Sequence, residues 1–420
     1  MKKNMRVLLI NLKEPFKEKQ IPCYVPPLGL WSIRAVAEQR TDMKIKVDIC
    51  DMHIGEDLNH FLKKDYDMVG ISVKFSIQHS EYIRIANLIR QCFPYAEIVS
   101  GGFHASAVEK PEAVSRVIKG DGEILFNREW DGCEMNALPI PTFSKKEIKK
   151  YWKLKAPHDL ESKTNKWMTI ETSRGCNRRC SFCGVPNFWG NWRSHTPAWV
   201  DYQLEYLVRK GIKEVFIEDD NVSLWKGRFI RIIESLNDYK LWWSTPNGIQ
   251  VSTINNIDTL NALDNSTCWK LSLPFETGTE KARDLMALRG KWLSFDEAND
   301  LVKNIKNMGI KTVGFFVIGY PGENINDIKA TLEYANSLPL DDRHIHIAIP
   351  YPGTPLYDLC KQKGYLTVDG EALYEELLCS NGLIKTDEFD PQIMEKIKKD
   401  DRDEAIKRKK ALLYDGSTSI

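Results

Sequence analysis

The chain has no apolar run long enough to cross a bilayer. Its longest, VGFFVIGY at residues 313–320, falls far short of the ~20 residues a spanning helix needs. It also lacks an excess of either charge: 59 Lys and Arg face 58 Asp and Glu, a net charge of +1. General nucleic-acid binding, which draws on many phosphate contacts, is therefore not expected, although one folded RNA or one peptide stays open as a substrate. Lysines precede VLLI near the N-terminus, but that run is too short for a secretion signal and no small-residue cleavage site follows. The ten cysteines are scattered except for one trio, which fits reduced thiols rather than a disulfide framework. The expectation is a soluble cytoplasmic protein with no membrane contact.

What the sequence does contain is two series of strand and helix signals. A chain of 420 residues is too long for one ordinary core. MRVLLIN, KVDICD, DMVGISV and AEIVSGG read as strands, with helical patterns such as LGLWSIRAVAEQR and SEYIRIANLIRQCF between them. Such alternation gives a doubly wound parallel sheet, whose ligands bind at the carboxyl ends of the strands. The candidates there are Asn11 to Lys13, Asp51, Ser72, Gly101, Gly102 and the GDGE turn that holds Gly120 and Glu123. A second series runs through WMTIETSRGC, EVFIEDD, LWWSTPNGI, WKLSLPFETG, TVGFFVIGYPGE and HIHIAIPYPGT. Six units are two short of a closed parallel barrel and predict a partial (β/α)6 barrel. The expected divisions are 1–130, a linker over 131–165, the barrel over 166–365 and a helical C-terminal extension over 366–420. The linker's lysines read as a solvated face, and the final YDGSTSI as frayed.

Three cysteines, Cys176, Cys180 and Cys183, stand in SRGCNRRCSFCGVP, in the loop after the first barrel strand. A structural zinc site normally takes four protein ligands. Only three thiols converge here, with His195 as a conceivable fourth for a zinc-stabilised binding module. A four-iron, four-sulfur cluster on three thiolates instead leaves one iron open to another ligand.

The CxxxCxxC spacing, with Phe182 before the last cysteine, resembles the signature of the radical S-adenosylmethionine (SAM) superfamily. The resemblance implies a [4Fe-4S] cluster whose open iron binds SAM and cleaves it to a 5′-deoxyadenosyl radical, with an electron donor such as flavodoxin or ferredoxin. Later strand ends match the family's pattern in order. FIEDDN puts Glu218, Asp219 and Asp220 where the family grips the SAM amino group, and FETG puts Glu276 where it has a carboxylate for the ribose. GFFVIGYPGE, with Ile318, resembles the segment whose backbone lies against adenine, and IPYPGTPLYD, with Tyr351, the sixth-strand turn. A solvated loop, a structural carboxylate and plain strand-end turns are the competing readings.

The first half resembles the N-terminal domain of cobalamin-dependent radical SAM proteins, over VPPLGLWSIRAVAEQ, VDICDM, DYDMVGISV, IVSGGFHASA and IKGDGE. The resemblance implies cobalamin near Ser72, Gly101, Gly102, Gly120 and Glu123. His53, in DMHIGED, departs from the DxHxxG pattern and reads as a surface loop residue rather than a cobalt ligand. His104 reads as a structural histidine, with pocket lining as the alternative. Together these imply a cobalamin-dependent methyltransferase acting on an unactivated carbon of a small molecule or peptide. A radical SAM enzyme doing dehydration, epimerisation, rearrangement or ring formation is the alternative. Trp189, Trp192, Trp225, Trp242 and Trp243 could wall off a radical or belong to the core. Cys360 and Cys379 are isolated, so a single cluster is expected. The C-terminal extension is the candidate lid.

Overall fold

The computed structural model describes residues 4–14, 23–127, 134–155, 157–290, 292–378 and 381–415. Cys379 and the terminal residues 416–420 lie outside them. In the first half, β1 (Asn4–Asn11), β2 (Lys44–Asp51), β3 (Met68–Ser72), β4 (Glu97–Gly101) and β5 (Arg116–Ile118) form one parallel sheet in the order β2-β1-β3-β4-β5. The near-continuous apolar run of β1 explains why it lies centrally. Successive side chains of a strand point to opposite faces. Val7 and Leu9 pack with Leu30, Ile33 and Val36 of helix Leu28–Glu38. Leu8 and Ile10 pack with Tyr82, Ile85 and Ile89 of helix His79–Cys92. The order reverses between β1 and β3, whose ends pair Asn11 with Ser72. A crevice at that reversal is where such sheets take ligands.

In the second half, β6 (Trp167–Ile170) is followed by a short antiparallel ribbon, β7 (Ser173–Arg174) with β8 (Arg193–Ser194). Then come β9 (Glu214–Ile217), β10 (Trp242–Thr245), β11 (Cys268–Glu276), β12 (Lys311–Ile318) and β13 (Asp342–Ile347). The six longer strands are parallel, in the order β13-β12-β11-β10-β9-β6. Spatial order here follows chain order with no reversal, as expected for a partial barrel wound in one direction. The expected α/β architecture is thus present in both halves, with a helix, Pro391–Asp415, near the C-terminus.

Two segments join the halves. The stretch read as a linker contains a helix, Lys145–Leu154, closed at its start by a Ser144–Glu147 capping box. Its Tyr151 hydroxyl donates to Asp51 Oδ2 at 2.6 Å, and Trp152 Nε1 donates to the Trp167 carbonyl at 2.7 Å. Beyond the barrel, the chain turns back onto the first half. The backbone N–H and hydroxyl of Ser80 donate to Glu375 Oε1 at 3.2 and 2.5 Å. The Tyr374 ring lies 4.7 Å from that of His79 and 5.0 Å from that of His104. Leu373, Leu377 and Leu383 meanwhile bury Ile349, just past β13. Among the described residues, no helix is long and apolar enough to cross a membrane.

Candidate active site

The three cysteines occupy the loop between β7 and β8, just after β6, at the carboxyl end of the barrel sheet. The acidic end of β9 holds that loop in place. Asp219 accepts from Thr172 N and Thr172 Oγ1, both at 2.6 Å, and from Ser173 Oγ at 2.5 Å. Asp220 Oδ2 accepts from the Gly175 N–H at 2.8 Å. Gly175 itself has φ +80°, and a Cβ there would stand 2.7 Å from the Asn191 carbonyl, so only glycine fits. Burial raises both carboxyls, that of Asp220 to about 6. Asp219 and Asp220, expected to face an ammonium group, are thus engaged in shaping the cysteine loop.

Cys180 is buried, while Cys176 and Cys183 are half-buried. Cys176 Sγ accepts from Arg178 N at 3.4 Å and Asn221 Nδ2 at 3.5 Å, and Gln250 Oε1 orients that amide from 2.9 Å. On the other side of the loop, Ser181 takes a hydrogen bond from Tyr320 OH at 2.8 Å and one from Leu356 N at 2.9 Å. The loop is therefore anchored to segments following β9, β12 and β13. Among the described residues, no three His, Cys, Asp or Glu side chains form a group that could hold a single metal ion. His195 is stacked on Trp199, with ring centroids 3.4 Å apart, and its backbone N–H donates to the Thr172 carbonyl. The zinc module finds no support in this geometry. Three thiols with N–H donors on one sulfur fit the ligand set of an iron–sulfur cluster.

Phe182 packs partly buried against the barrel core. Glu276, at the end of β11, is buried with φ +68°, a costly conformation for a residue with a side chain and one concentrated at functional sites. Ile318 is fully buried at the end of β12. Tyr351 packs against the C-terminal segment.

An open cleft of about 300 Å³ lies between the two sheets' carboxyl ends. Ser72, Gly101, Gly102, Gly120 and Glu123 line it from the first half, and Thr169, Glu171, Arg174, Trp189 and Glu218 from the second. The five residues marked for cobalamin are therefore together, on one side of one cavity. Asn11 Oδ1 and Thr169 Oγ1, which belong to cavity-lining residues, are buried without a hydrogen-bond partner. Buried polar atoms are rarely left so, and a ligand in the cleft would complete them. Two of the glycines have a structural part as well. A Cβ on Gly102, at φ +101°, would meet the Val73 carbonyl oxygen at 2.5 Å, and one on Gly101 the Ile118 carbonyl at 3.2 Å. They first of all let neighbouring backbone close up.

Arg174 joins the two walls. It is almost fully buried and donates to Asp121 Oδ1 at 2.6 Å, Glu123 Oε1 and Oε2 at 2.8 and 3.2 Å, and Glu171 Oε2 at 3.0 Å. Its guanidinium also lies 4.9 Å from the centre of the Trp189 ring. Burial opposes charge on Glu123, but Arg174 overrides it and holds that carboxyl below its usual range. Ser32 Oγ donates to Glu123 from 2.5 Å. Glu123 is thereby committed to orienting Arg174, two residues before Cys176. For Glu171 burial prevails, and its carboxyl rises to about 7. Phe103 stacks on Phe188 across the same junction, with centroids 4.1 Å apart.

Other candidates lie apart from the cleft. Asp51 is engaged by Asn11, Tyr151 and the His53 N–H, and His53 Nε2 donates to the Cys23 carbonyl at 2.8 Å. His104 is buried against His79, 2.9 Å away. Of the five tryptophans, Trp189 alone lines the cleft. Trp243 is core, Trp225 and Trp242 are exposed, and Trp192 donates to the Asn221 carbonyl.

Residues 170–335 match the radical SAM superfamily. The chain carries a radical SAM domain. The cysteine trio stands near the start of the matched region, and the acidic end of β9, Glu276 and Ile318 lie within it. An uncharacterized methyltransferase of Pyrococcus horikoshii is 26% identical over 396 residues, covering 84% of this chain and 83% of the relative. The cytidylyl-2-hydroxyethylphosphonate methyltransferase of Streptomyces wedmorensis is 25% identical, covering 88% and 84%. Among solved structures, the radical SAM methyltransferase TsrM of Kitasatospora setae, with cobalamin and a [4Fe-4S] cluster bound, superposes with a TM-score of 0.68. It shares 17% identity and covers 89% of this chain and 85% of its own. That likeness extends the fold match beyond the radical SAM domain into both halves. Arg174, Glu171 and Asn221 of this radical SAM enzyme were not singled out from sequence. Arg174 had a signal: a cation inside SRGC, next to three thiols.

Proposed function

We propose that the protein is a cobalamin-dependent radical SAM methyltransferase acting on a carbon of a small molecule. One observation carries this reading. The cleft residues marked for cobalamin face, across one shared cavity, the residues that lead into the cysteine loop. Methyltransferase relatives that cover most of the chain support it, as does the fold shared with a cobalamin-binding neighbour. That neighbour has also been solved with a tryptophan substrate.

Cys176, Cys180 and Cys183 would hold the cluster, and the segments ending at Glu276, Ile318 and Tyr351 would receive SAM. Ser72, Asn11 and Thr169 would hydrogen-bond the corrinoid. When bound, these groups supply a carbon radical and a transferable methyl. The chain's own part is placement and protection. Arg174 fixes the gap between the walls through three charge-assisted hydrogen bonds to Asp121 and Glu123, while Glu171 holds it from its own side. Asn221 and Arg178 direct N–H groups at Cys176 Sγ, which stabilises thiolate charge. Phe188 and Trp189 close one wall against water, and Glu171, at about 7, can hold or release a proton facing the cavity. An electron donor such as flavodoxin or ferredoxin would serve the cluster.

The test begins with anaerobic reconstitution with iron, sulfide and hydroxocobalamin. About one corrinoid per chain is expected, followed by label transfer from methyl-labelled SAM to candidate small molecules. An intact cluster that cleaves SAM without retaining corrinoid would overturn the reading and favour radical chemistry without methyl transfer.

A further inference from the structure

Beside the cleft, three side chains from distant parts of the sequence stand in a row. His158 Nδ1 lies 3.5 Å from Cys23 Sγ, and His158 Nε2 is hydrogen-bonded to Glu218 Oε1. Asn247 Nδ2 holds the same carboxylate, donating to Glu218 Oε2 at 3.1 Å and to the Glu218 carbonyl at 2.9 Å. The Phe216 ring packs against the imidazole, with centroids 5.6 Å apart. At the far end, His53 Nε2 pins the backbone of Cys23 through its carbonyl. Cys23 is half-exposed, and Glu218 lines the cavity. Neither Cys23 nor His158 belongs to a motif of the radical SAM domain.

The order is nucleophile, imidazole, orienting carboxylate, the arrangement that activates a thiol. Burial opposes a positive charge on His158, yet Glu218 and Cys23 carry it well above its usual range. An imidazolium there has both N–H groups committed, one to the carboxylate and one to sulfur. The sulfur then accepts a hydrogen bond and keeps its lone pairs for attack. The other titratable groups nearby are His53, beyond the Cys23 carbonyl, and Glu14, which interacts with both His53 and Lys74.

We propose that Cys23 is a nucleophilic thiol, separate from the three cluster cysteines, that His158 and Glu218 poise to react with soft electrophiles at the rim of the cleft. With an alkyl halide, the carbon–sulfur bond forms as the carbon–halogen bond breaks. Halide leaves, and the proton stays on His158. With a low-molecular-weight disulfide, sulfur attacks sulfur, a mixed disulfide forms and the second thiolate departs. The thiol chemistry is independent of the methyltransferase reading, because it needs neither SAM nor corrinoid.

The test is competitive alkylation of the cluster-loaded protein with limiting iodoacetamide, read peptide by peptide by mass spectrometry. Cys92, exposed and outside any such row, is the internal reference. Cys23 is expected to react about tenfold faster than Cys92 at pH 6.5. In His158→Gln, which removes the imidazole beside Cys23 Sγ, Cys23 should lose that advantage and react at the rate of the reference. Equal rates for the two thiols in the unmodified chain would overturn the proposal without any variant. So would an undiminished rate in a His158→Gln protein that keeps the parent's far-ultraviolet circular dichroism.

Discussion

Replacing Arg174 by methionine is the sharpest test of how the two halves are held. The substitution removes a buried cation that satisfies Asp121, Glu123 and Glu171 together. Glu123 has a side-chain exposure of 2%, so it keeps only Ser32 as a side-chain donor and cannot recruit water in place of the guanidinium. Breaking a buried pair by removing one partner costs about 3–5 kcal/mol, mostly as an uncompensated charge. Unfolding entropy is about 2.1 cal/mol/K per residue, so about 4 kcal/mol lowers the thermal midpoint by about 5 °C if the chain melts as one unit. A larger drop would follow if the first half melts alone. The assay is differential scanning calorimetry on the parent, Arg174→Met, Glu123→Gln and the double variant. Removing both charges should recover about 2 kcal/mol relative to the sum of the singles, since contacting residues couple. A loss under about 1 kcal/mol, or strict additivity, would refute the view that Arg174 ties the walls together.

Two further outcomes follow from single positions. Gly102→Ala must place a Cβ against the Val73 backbone at a positive φ, so it should cost more than about 1 kcal/mol and reduce corrinoid retention. Gly227→Ala, where the nearest atom is 3.9 Å away, should do neither; matching melting curves for the two would contradict the argument. Glu171 is raised from 4.5 to about 7 in the folded chain, so the unfolded chain releases that proton first as pH rises. Its contribution to stability is therefore present at low pH and lost between about 4.5 and 7, up to roughly 3 kcal/mol. Glu171→Gln should flatten this decline, gaining on the parent from pH 5 to 7.5 in thermal midpoint. Parallel pH profiles would count against the shift.

Strand positions were legible because buried parallel strands are written as short β-branched runs, and all four strands named in the first half fall within two residues of those observed. The strand β5, only Arg116–Ile118, carries too few residues to show a period and passed unnoticed. The cysteine trio was legible because its three members are neighbours in the chain. What the acidic end of β9 does was not. FIEDDN shows three carboxylates in a row, but which way each faces depends on Thr172, Ser173 and Gly175, reached only once β6 and β9 pair. Arg174 and Glu123 are 51 residues apart, and no local pattern marks a pair at that separation. The same holds for Cys23 and His158, 135 residues apart. Sites assembled from separate elements become visible only when the sheets are in place.

The segment that returns to the first half after β13 also bears on the order of events during synthesis. Glu375 grips Ser80 across 295 residues of chain, and Leu373, Leu377 and Leu383 bury Ile349 at the end of the barrel. Domains fold in turn as they emerge from the ribosome, so the sheet that contributes half the cleft can form long before this clasp has been translated. Once the barrel strands have followed, and until that clasp is in place, the cleft has both its walls but not the strap that binds them. That interval, set by translation speed rather than by affinity, is when a bulky guest meets the least resistance to entry.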